Sequence, residues 1–302
     1  MISETNVLIF SLLGGIVPAL FWLWFWIRED RLRPEPKLAL LSSFIGGILV
    51  VLLALLLELI IYYLLVDAST PVNFKSPAIF WVPLKNFADS HNLINLQIDF
   101  WSHIKNFFNN LNFPVLQNLD VKKGFLVVII APIVEELLKL LFTYNICLRR
   151  KINDEPIDAS IYLLTAALGF AAVETALFLT EPLAHGHIVD TLIAGNFRSI
   201  GPMLIHLISS AMLGIFIGLA FYKSKIKKFL YLIIGFILAV FLHALFNFFI
   251  ILNDTTHNMA YFWFACLGTW ILVVVLLISF EKVKKVVRLP IDRLGKKKSF
   301  MV

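Results

Sequence analysis

Several ionisable side chains lie inside long apolar stretches of this sequence, where charged residues are rare. They are Glu58, Glu135, Glu136, Lys139, Glu174, His206 and His243, with Asn247 as an amide companion. Inside a bilayer an ionisable group costs about 3 kcal/mol or more unless it is paired or hydrated. Carboxylates and imidazoles can activate water, transfer protons or bind a metal ion. The set therefore indicates chemistry or transport within a membrane.

Helical spacing places some of these residues on common faces. Glu135 and Lys139 are four residues apart and are predicted to pair, whereas Glu136 points about 100° away. His243 and Asn247 are also four residues apart and can face one cavity. The spacing therefore predicts two helix faces that can contribute to one site.

Prolines and small residues lie close to the same positions. Pro132 is three residues before Glu135 and Pro202 is four before His206, and each frees a backbone carbonyl one turn back. A polar cavity can satisfy such carbonyls. Alanines at small-xxx-small spacing surround Glu174, which predicts close helix packing and an interior position for this carboxylate.

The composition requires lipid as the solvent of this chain. Of its 302 residues 60% are hydrophobic, and the mean hydropathy is +0.86. A soluble core cannot hide so much apolar surface, and long unbroken apolar runs favour helices over a barrel. We expect an all-α, polytopic integral membrane bundle of about seven transmembrane helices forming a single domain. The predicted spans are 7–27, 38–66, 125–146, 157–180, 199–222, 229–251 and 260–280.

The distribution of basic residues predicts the orientation. Most of the 26 lysines and arginines lie in segments 28–37, 149–156, 223–228 and 281–302. By the positive-inside rule the amino terminus is outside, and the carboxyl terminus is cytoplasmic with a basic tail over 281–302. We therefore interpret the net charge of +6 as a signal of topology and contact with the lipid bilayer, with no nucleic acid as partner. We expect a multi-pass protein of the cell membrane.

The polar residues lie at similar predicted depths. Counted from the outer ends of their spans, Glu174, His206, His243 and Glu135 lie about 9, 10, 12 and 15 Å into the membrane. A shared layer in the outer half of the bilayer is what one assembled site requires. Glu58 lies at a similar depth without a motif around it, and we interpret it as structural or snorkelling.

An extracytoplasmic insertion over 67–123 separates the second and third spans. It contains Ile94, Ile98, Trp101 and Phe108 at near-helical spacing, with polar residues between them. This pattern is typical of an interfacial helix. The insertion could gate or recognise substrates, but a surface role without function is the simpler interpretation.

Three short motifs resemble those of PrsW-type intramembrane proteases. Glu135-Glu136-Leu-Leu-Lys139 resembles the EExxK motif, and Phe170 to Glu174 resembles FxxxE. The segment from His243 to Asn247 resembles HxxxN/D, and further matches are Asp158, Arg198, His206 and the acidic, proline-containing loop at 28–37. Lys139 and Glu174, in place of arginine and histidine, distinguish this family from the related CAAX prenyl endopeptidases and bacteriocin-processing proteins.

The resemblance implies an intramembrane endopeptidase that cleaves membrane-anchored protein substrates near the outer half of the bilayer. The known example is an anti-sigma factor, which is cut at its outer side to begin regulated intramembrane proteolysis. The catalytic residues that the resemblance and the spacing together indicate are Glu135, Glu136, Lys139, Glu174, His206, His243 and Asn247.

Two forms of the hydrolytic chemistry remain open. In the metal form, His206, His243 and one glutamate, Glu135, bind Zn²⁺, and a neighbouring glutamate is the general base. In the metal-free form, Glu135 or Glu136 activates water directly, and the histidines with Asn247 stabilise the oxyanion.

Other functions are compatible with the same residues. Membrane glutamates and histidines also form the ion sites of proton-coupled transporters, although the polar groups here form one layer and no chain across the membrane. A non-catalytic membrane scaffold is a further alternative. Ser209 and Ser210 follow His206 on the next turn and could supply a serine nucleophile, but a packing role is the simpler interpretation.

Overall fold

The computed structural model of the protein describes residues 3–28, 34–65, 124 and 126–286. The insertion predicted over 67–123, with its interfacial helix, lies outside these residues. So do the last 16 residues of the basic tail, 287–302. Both assignments stay predictions.

The described part of the chain is helical and contains no strand, which confirms the all-α prediction. We number its helices α1 (Glu4–Ile27), α2 (Lys37–Leu65), α3 (Ala131–Thr143), α4 (Asp158–Ala184), α5 (Ile188–Ile200), α6 (Pro202–Leu219), α7 (Lys225–Thr256) and α8 (Met259–Lys284). Two π-helical segments flank α3: the first is Leu126–Ile130 and the second is Tyr144–Leu148.

Within the described ranges, six helical stretches are long and apolar enough to cross a membrane. They are Glu4–Ile27, Lys37–Ile61, Asp158–Ala184, Ile188–Leu219, Lys225–Thr256 and Met259–Lys284. The remaining predicted span corresponds to α3 with its two π-helical segments, which is more polar because it carries Glu135, Glu136 and Lys139. The protein is thus a polytopic helical membrane protein, as predicted.

The predicted fifth span begins differently in the structure. A separate helix, α5, precedes α6, and the chain turns at Gly201 (φ −121°, ψ −87°) between them. Pro202 is suited to the first turn of a helix, where its missing N–H is not needed, but it cannot continue a preceding one. The sequence prediction assigned 199–222 to one span and did not identify α5.

Helix α4 lies at the centre of the bundle and packs against α1, α2 and α6. Small residues allow this close approach, as the spacing of its alanines predicted. A Cβ atom added to Gly15 of α1 would lie 2.0 Å from the Ala172 carbonyl oxygen, and one added to Gly47 of α2 would lie 1.9 Å from that of Ala166. Glycine is therefore required at both helix crossings.

The outer surface of the bundle is apolar. Large side chains of α1, α7 and α8 are exposed, among them Phe10, Ile237 and Leu267. The ionisable side chains discussed above lie instead between the helices. Apolar side chains outside and ionisable side chains inside are the arrangement expected of a bundle surrounded by lipid.

Candidate active site

Four helices bring carboxylates and imidazoles together in one layer. The ring centroids of His206 on α6 and His243 on α7 are 4.6 Å apart. The Oε2 atom of Glu135 on α3 lies 3.5 Å from Nδ1 of His206 and 3.9 Å from Nε2 of His243. Glu174 on α4 completes the layer, because its Oε2 atom is 2.6 Å from Nε2 of His206.

Glu136 is fully buried and has polar partners on three helices. Its Oε1 atom accepts from Lys139 at 2.9 Å and from Ser209 at 3.0 Å, and its Oε2 atom accepts from Ser210 at 2.6 Å. Nδ1 of His243 lies 3.2 Å from Oε1. Both serine hydroxyls thus donate to a buried carboxylate, so the serine-nucleophile alternative is not supported.

The predicted pairing of Lys139 with Glu135 is present, together with a closer pairing with Glu136 that was not predicted. Its ammonium lies 2.9 Å from Glu136 but 3.6 Å from Glu135, so the closer partner is at i,i−3 and not at i,i−4. The physical reason is tertiary: Nδ1 of His206, 3.0 Å away, draws the ammonium toward α6, and the same helix holds Glu136 through its serines. Lys139 also lies over the ring of Phe170, 4.2 Å from its centroid.

The hydrogen bonds assign a tautomer to each histidine. The Lys139 ammonium can only donate, so Nδ1 of His206 accepts and its Nε2–H donates to Glu174. The carboxylate of Glu136 can only accept, so His243 donates through Nδ1–H and keeps the lone pair of Nε2 for the cavity. A carboxylate that accepts a hydrogen bond from one ring nitrogen of a histidine fixes the orientation of the imidazole.

Glu174 is held from a second side by helix α5. Nη2 of Arg198 donates to its Oε1 atom at 2.8 Å, and the guanidinium stacks over Phe178, 4.5 Å from the ring centroid. The sequence identified Arg198 as a match preceding the fifth span but not the helix that carries it. Glu174 therefore joins α4, α5 and α6 at the site.

A π-helical turn and a proline position α3. In the π-helical register the partner of the Val127 carbonyl would be the N–H of residue 132, which Pro132 lacks. The side chain of Asn247 supplies the donor instead, from Nδ2 to the Val127 oxygen at 3.0 Å. The predicted freed carbonyl is thus found here. One further N–H of the amide remains for the cavity.

These residues border a cavity of about 460 Å³. Glu135, Glu174, His206, His243 and Asn247 line it, together with Glu58, Val127, Ala131, Phe178, Ala194, Phe197, Arg198, Pro202, Ile205, Phe246, Ile250, Ile251, Asn253 and Phe262. Along α7 the lining runs from residue 243 to residue 253, a rise of about 15 Å. Glu136 and Lys139 do not line the cavity and support it from behind.

Four lining residues have a buried polar atom without a hydrogen-bond partner in the described part of the chain. They are Glu58 (Oε1), Glu135 (Oε2), Arg198 (Nε) and Asn253 (Oδ1). Buried polar atoms usually have partners, so these atoms indicate a space for water or a ligand. The sequence interpretation of Glu58 as structural or snorkelling stays untested, but its side chain lines the cavity with the motif residues, which the sequence analysis did not predict. Its depth, equal to that of the motif residues, was the available signal, whereas nothing in the sequence distinguished Asn253.

Glu135, His206 and His243 can offer ligand atoms that all lie within 4.8 Å of one another. Two imidazoles and one carboxylate form a ligand set that catalytic zinc sites use. The unpartnered Oε2 atom of Glu135 and the free Nε2 atom of His243 fit a metal ion directly. His206 fits after releasing one of its two hydrogen bonds. The residues therefore fit a divalent metal in type and number.

The fold and the site together define a polytopic helical membrane protein with a carboxylate–histidine cluster enclosed by its helices. Residues 100–280 match the model of a family described as PrsW family intramembrane metalloprotease. The match covers more than half of the chain, and the protein belongs to this family, as its motifs predicted.

Two curated bacterial relatives carry the name Protease PrsW. The chain is 32% identical to the one from Geobacillus kaustophilus (strain HTA426) over 124 residues, which are 41% of this chain and 51% of the relative. It is 32% identical to the one from Shouchella clausii (strain KSM-K16) over 127 residues, which are 42% and 54%. The match thus spans about half the length of each relative. No solved structure matches the chain significantly.

Proposed function

We propose that this protein is an intramembrane endopeptidase that cleaves membrane-anchored proteins. The observation that carries the proposal is the buried Oε2 atom of Glu135, which lacks a hydrogen-bond partner and lies between two imidazoles in a cavity. A carboxylate in this position can accept a proton from a water molecule that attacks a peptide carbonyl. Family membership supports the same reaction.

The surrounding residues have distinct roles in this proposal. Glu135 takes the proton from water and returns it to the leaving nitrogen. Glu136 holds His243 with its Nε2 atom toward the water, and Glu174 holds His206. The second N–H of Asn247 is available to the developing oxyanion, since the first is bonded to the backbone. The helices around the cavity limit the water that reaches the peptide.

A metal ion would occupy the same cluster. Glu135, His206 and His243 would hold it, and bound Zn²⁺ would supply an acidified water and polarise the substrate carbonyl. Glu174, the remaining carboxylate next to His206, would then be the base. Zinc is the metal that we propose, and metal analysis of the purified protein tests it.

The proposed substrates follow from the orientation. The cavity lies at the end of the bundle where α4 and α7 end and α8 begins. With the orientation that the positive-inside rule predicts, this end is extracytoplasmic, so the cut falls in the outer half of the cell membrane. Single-span proteins of the anti-sigma-factor type, cleaved to begin regulated intramembrane proteolysis, are the substrate class that we propose.

Cysteine labelling tests the orientation. On a background without Cys147 and Cys266, a single cysteine at the exposed position of His185 should react with an impermeant reagent added outside intact cells. A cysteine at Ser224, in the turn before α7, should react only after the cells are opened. The reverse pattern would place the cavity in the cytoplasmic half and contradict the proposed cleavage side.

Cleavage by the purified protein tests the activity. The protein is reconstituted in liposomes with a panel of single-span reporters that carry different outer juxtamembrane segments. Glu135→Gln should lower kcat/KM by about 100-fold or more, as expected for loss of a general base. Glu181→Gln removes an exposed carboxylate from the same end of the bundle and should have no effect. Undiminished cleavage by Glu135→Gln would refute the assignment of the base, and no cleavage of any reporter would count against the activity.

Metal analysis tests the two chemical forms. The wild-type protein should contain about one zinc per chain, and His243→Ala should lose it, because the ring offers its Nε2 atom to the cluster. His187→Ala is the matched control, since this histidine is exposed and lies outside the cavity. Full activity in a demonstrably metal-free sample would exclude the zinc form and leave the glutamate form.

A further inference from the structure

Glu58 has no role in the chemistry proposed above, although it shares the cavity with Glu135. It is carried by α2, which contributes none of the family motifs. Its Oε1 atom is buried without a hydrogen-bond partner, and Glu58 forms no ion pair within the described ranges of the chain. A carboxylate between membrane helices is costly unless it is paired, so a partner is expected to enter from outside this set.

Within the described ranges, the cations near the cavity are already engaged. Lys139 is bonded to Glu136 and His206, behind the cavity wall. Arg198 lines the cavity but is bonded to Glu174. Moving Lys139 to Glu58 would leave Glu136 without its cation, and moving Arg198 would do the same to Glu174, so neither move would gain an ion pair.

The lining of the cavity is therefore acidic in a chain whose net charge is +6. Among the described residues, three glutamates and one arginine line it. Arg198 pairs with Glu174, and Lys139 behind the wall is shared between Glu135 and Glu136, which leaves Glu58 without a cation. A divalent metal at Glu135 would neutralise that part of the site but would leave Glu58 unmatched. A cavity of this kind attracts a cationic group.

The dimensions fit a short peptide segment. An extended chain advances about 3.3 Å per residue, so the 15 Å of lining along α7 accommodates roughly four or five residues. Phe178, Ile205 and Phe262 provide apolar walls that suit the methylene stem of a long cationic side chain. A basic residue close to the cleaved bond can thus reach Glu58.

We propose that Glu58 selects substrates with a lysine or arginine within about four residues of the cleaved bond. The inference rests on the proposed endopeptidase function and adds a substrate class to it. The unpaired carboxylate of Glu58 forms a charge-assisted hydrogen bond with the basic side chain. Its position in the same cavity as Glu135 places this contact next to the reaction.

A binding experiment tests the selection without depending on catalysis. Fluorescent single-span peptides, with one lysine moved through the outer juxtamembrane positions, are titrated against full-length Glu135→Gln protein in nanodiscs. Matched peptides carry glutamine or glutamate at the same position. At one or two adjacent positions the lysine peptide should bind about tenfold more tightly than the glutamine peptide. Adding Glu58→Gln should abolish the preference, and Glu58→Lys should favour glutamate, whereas Glu181→Gln should change nothing.

The outcomes separate the two proposals. Equal binding of lysine and glutamine peptides at every position, or a lysine preference that survives Glu58→Gln, would overturn the role of Glu58. Thermal unfolding and gel filtration of each variant establish that it is folded. Wild-type protein that binds lysine peptides selectively but cleaves none of them would instead count against the endopeptidase function.

Discussion

The buried ion pair between Glu136 and Lys139 leads to a quantitative prediction about stability. Both side chains are fully buried, and the two charged atoms are 2.9 Å apart. At an effective dielectric constant of about 20 this attraction is roughly 6 kcal/mol, much of which offsets the cost of removing the charges from water. Removal of one partner leaves the other charge buried, so we expect Glu136→Gln and Lys139→Met each to cost about 3–5 kcal/mol.

The double variant should cost little more than either single one, because neither charge remains. The coupling energy of the double-mutant cycle is expected to be about 3 kcal/mol. Unfolding in mixed micelles, followed by circular dichroism, measures all four proteins. Additive costs, with the double variant losing about 6–10 kcal/mol, would show that the serines and His206 satisfy the two charges separately. In that case the account of a coupled Glu136–Lys139 pair would be wrong.

Two further predictions concern packing and backbone support. Gly47→Ala should destabilise the bundle by about 1–3 kcal/mol in the same unfolding assay, because the added Cβ would meet the backbone of α4. The control is Gly268→Ala, which has open space around it and should be neutral or slightly stabilising. Asn247→Ala should lower the free energy of unfolding by about 1–3 kcal/mol, because it leaves the Val127 carbonyl unpaired. It should also lower cleavage in the liposome assay. Unchanged stability would show that another group pairs this carbonyl.

Hydropathy and helical spacing predicted the helices that cross the membrane because apolar runs of this length have few alternatives in lipid. Depth counting also predicted that Glu135, Glu174, His206 and His243 would occupy one layer, and in the structure these side chains lie close together. Such counting works because the rise per residue is constant along a helix. Depth counting predicts the position of a residue along the membrane normal, but it does not predict which neighbouring helix the residue faces.

The features that were missed depend on which helices are neighbours. The pairing of Lys139 with Glu135 was predicted and is present, but its closer contact with Glu136 was not predicted, because contacts from α6 produce it. Glu58 was set aside because no motif surrounds it, although α2 packs beside α3 and brings it into the cavity. Helix α5 was missed because the break at Gly201 lies within an apolar run that hydropathy cannot divide.

The length of the π-helical segment before α3 determines which way α3 faces. Such a turn contains one residue more than an α-helical turn, so the length of Leu126–Ile130 sets the rotation of everything that follows it. Deleting one residue there would turn α3 by about 100° and carry Glu135 away from the histidines, with every motif letter still in place. Over descendants of this sequence, the five positions should therefore accept many apolar replacements but no single-codon insertion or deletion. Their number, more than their identity, is what selection would preserve.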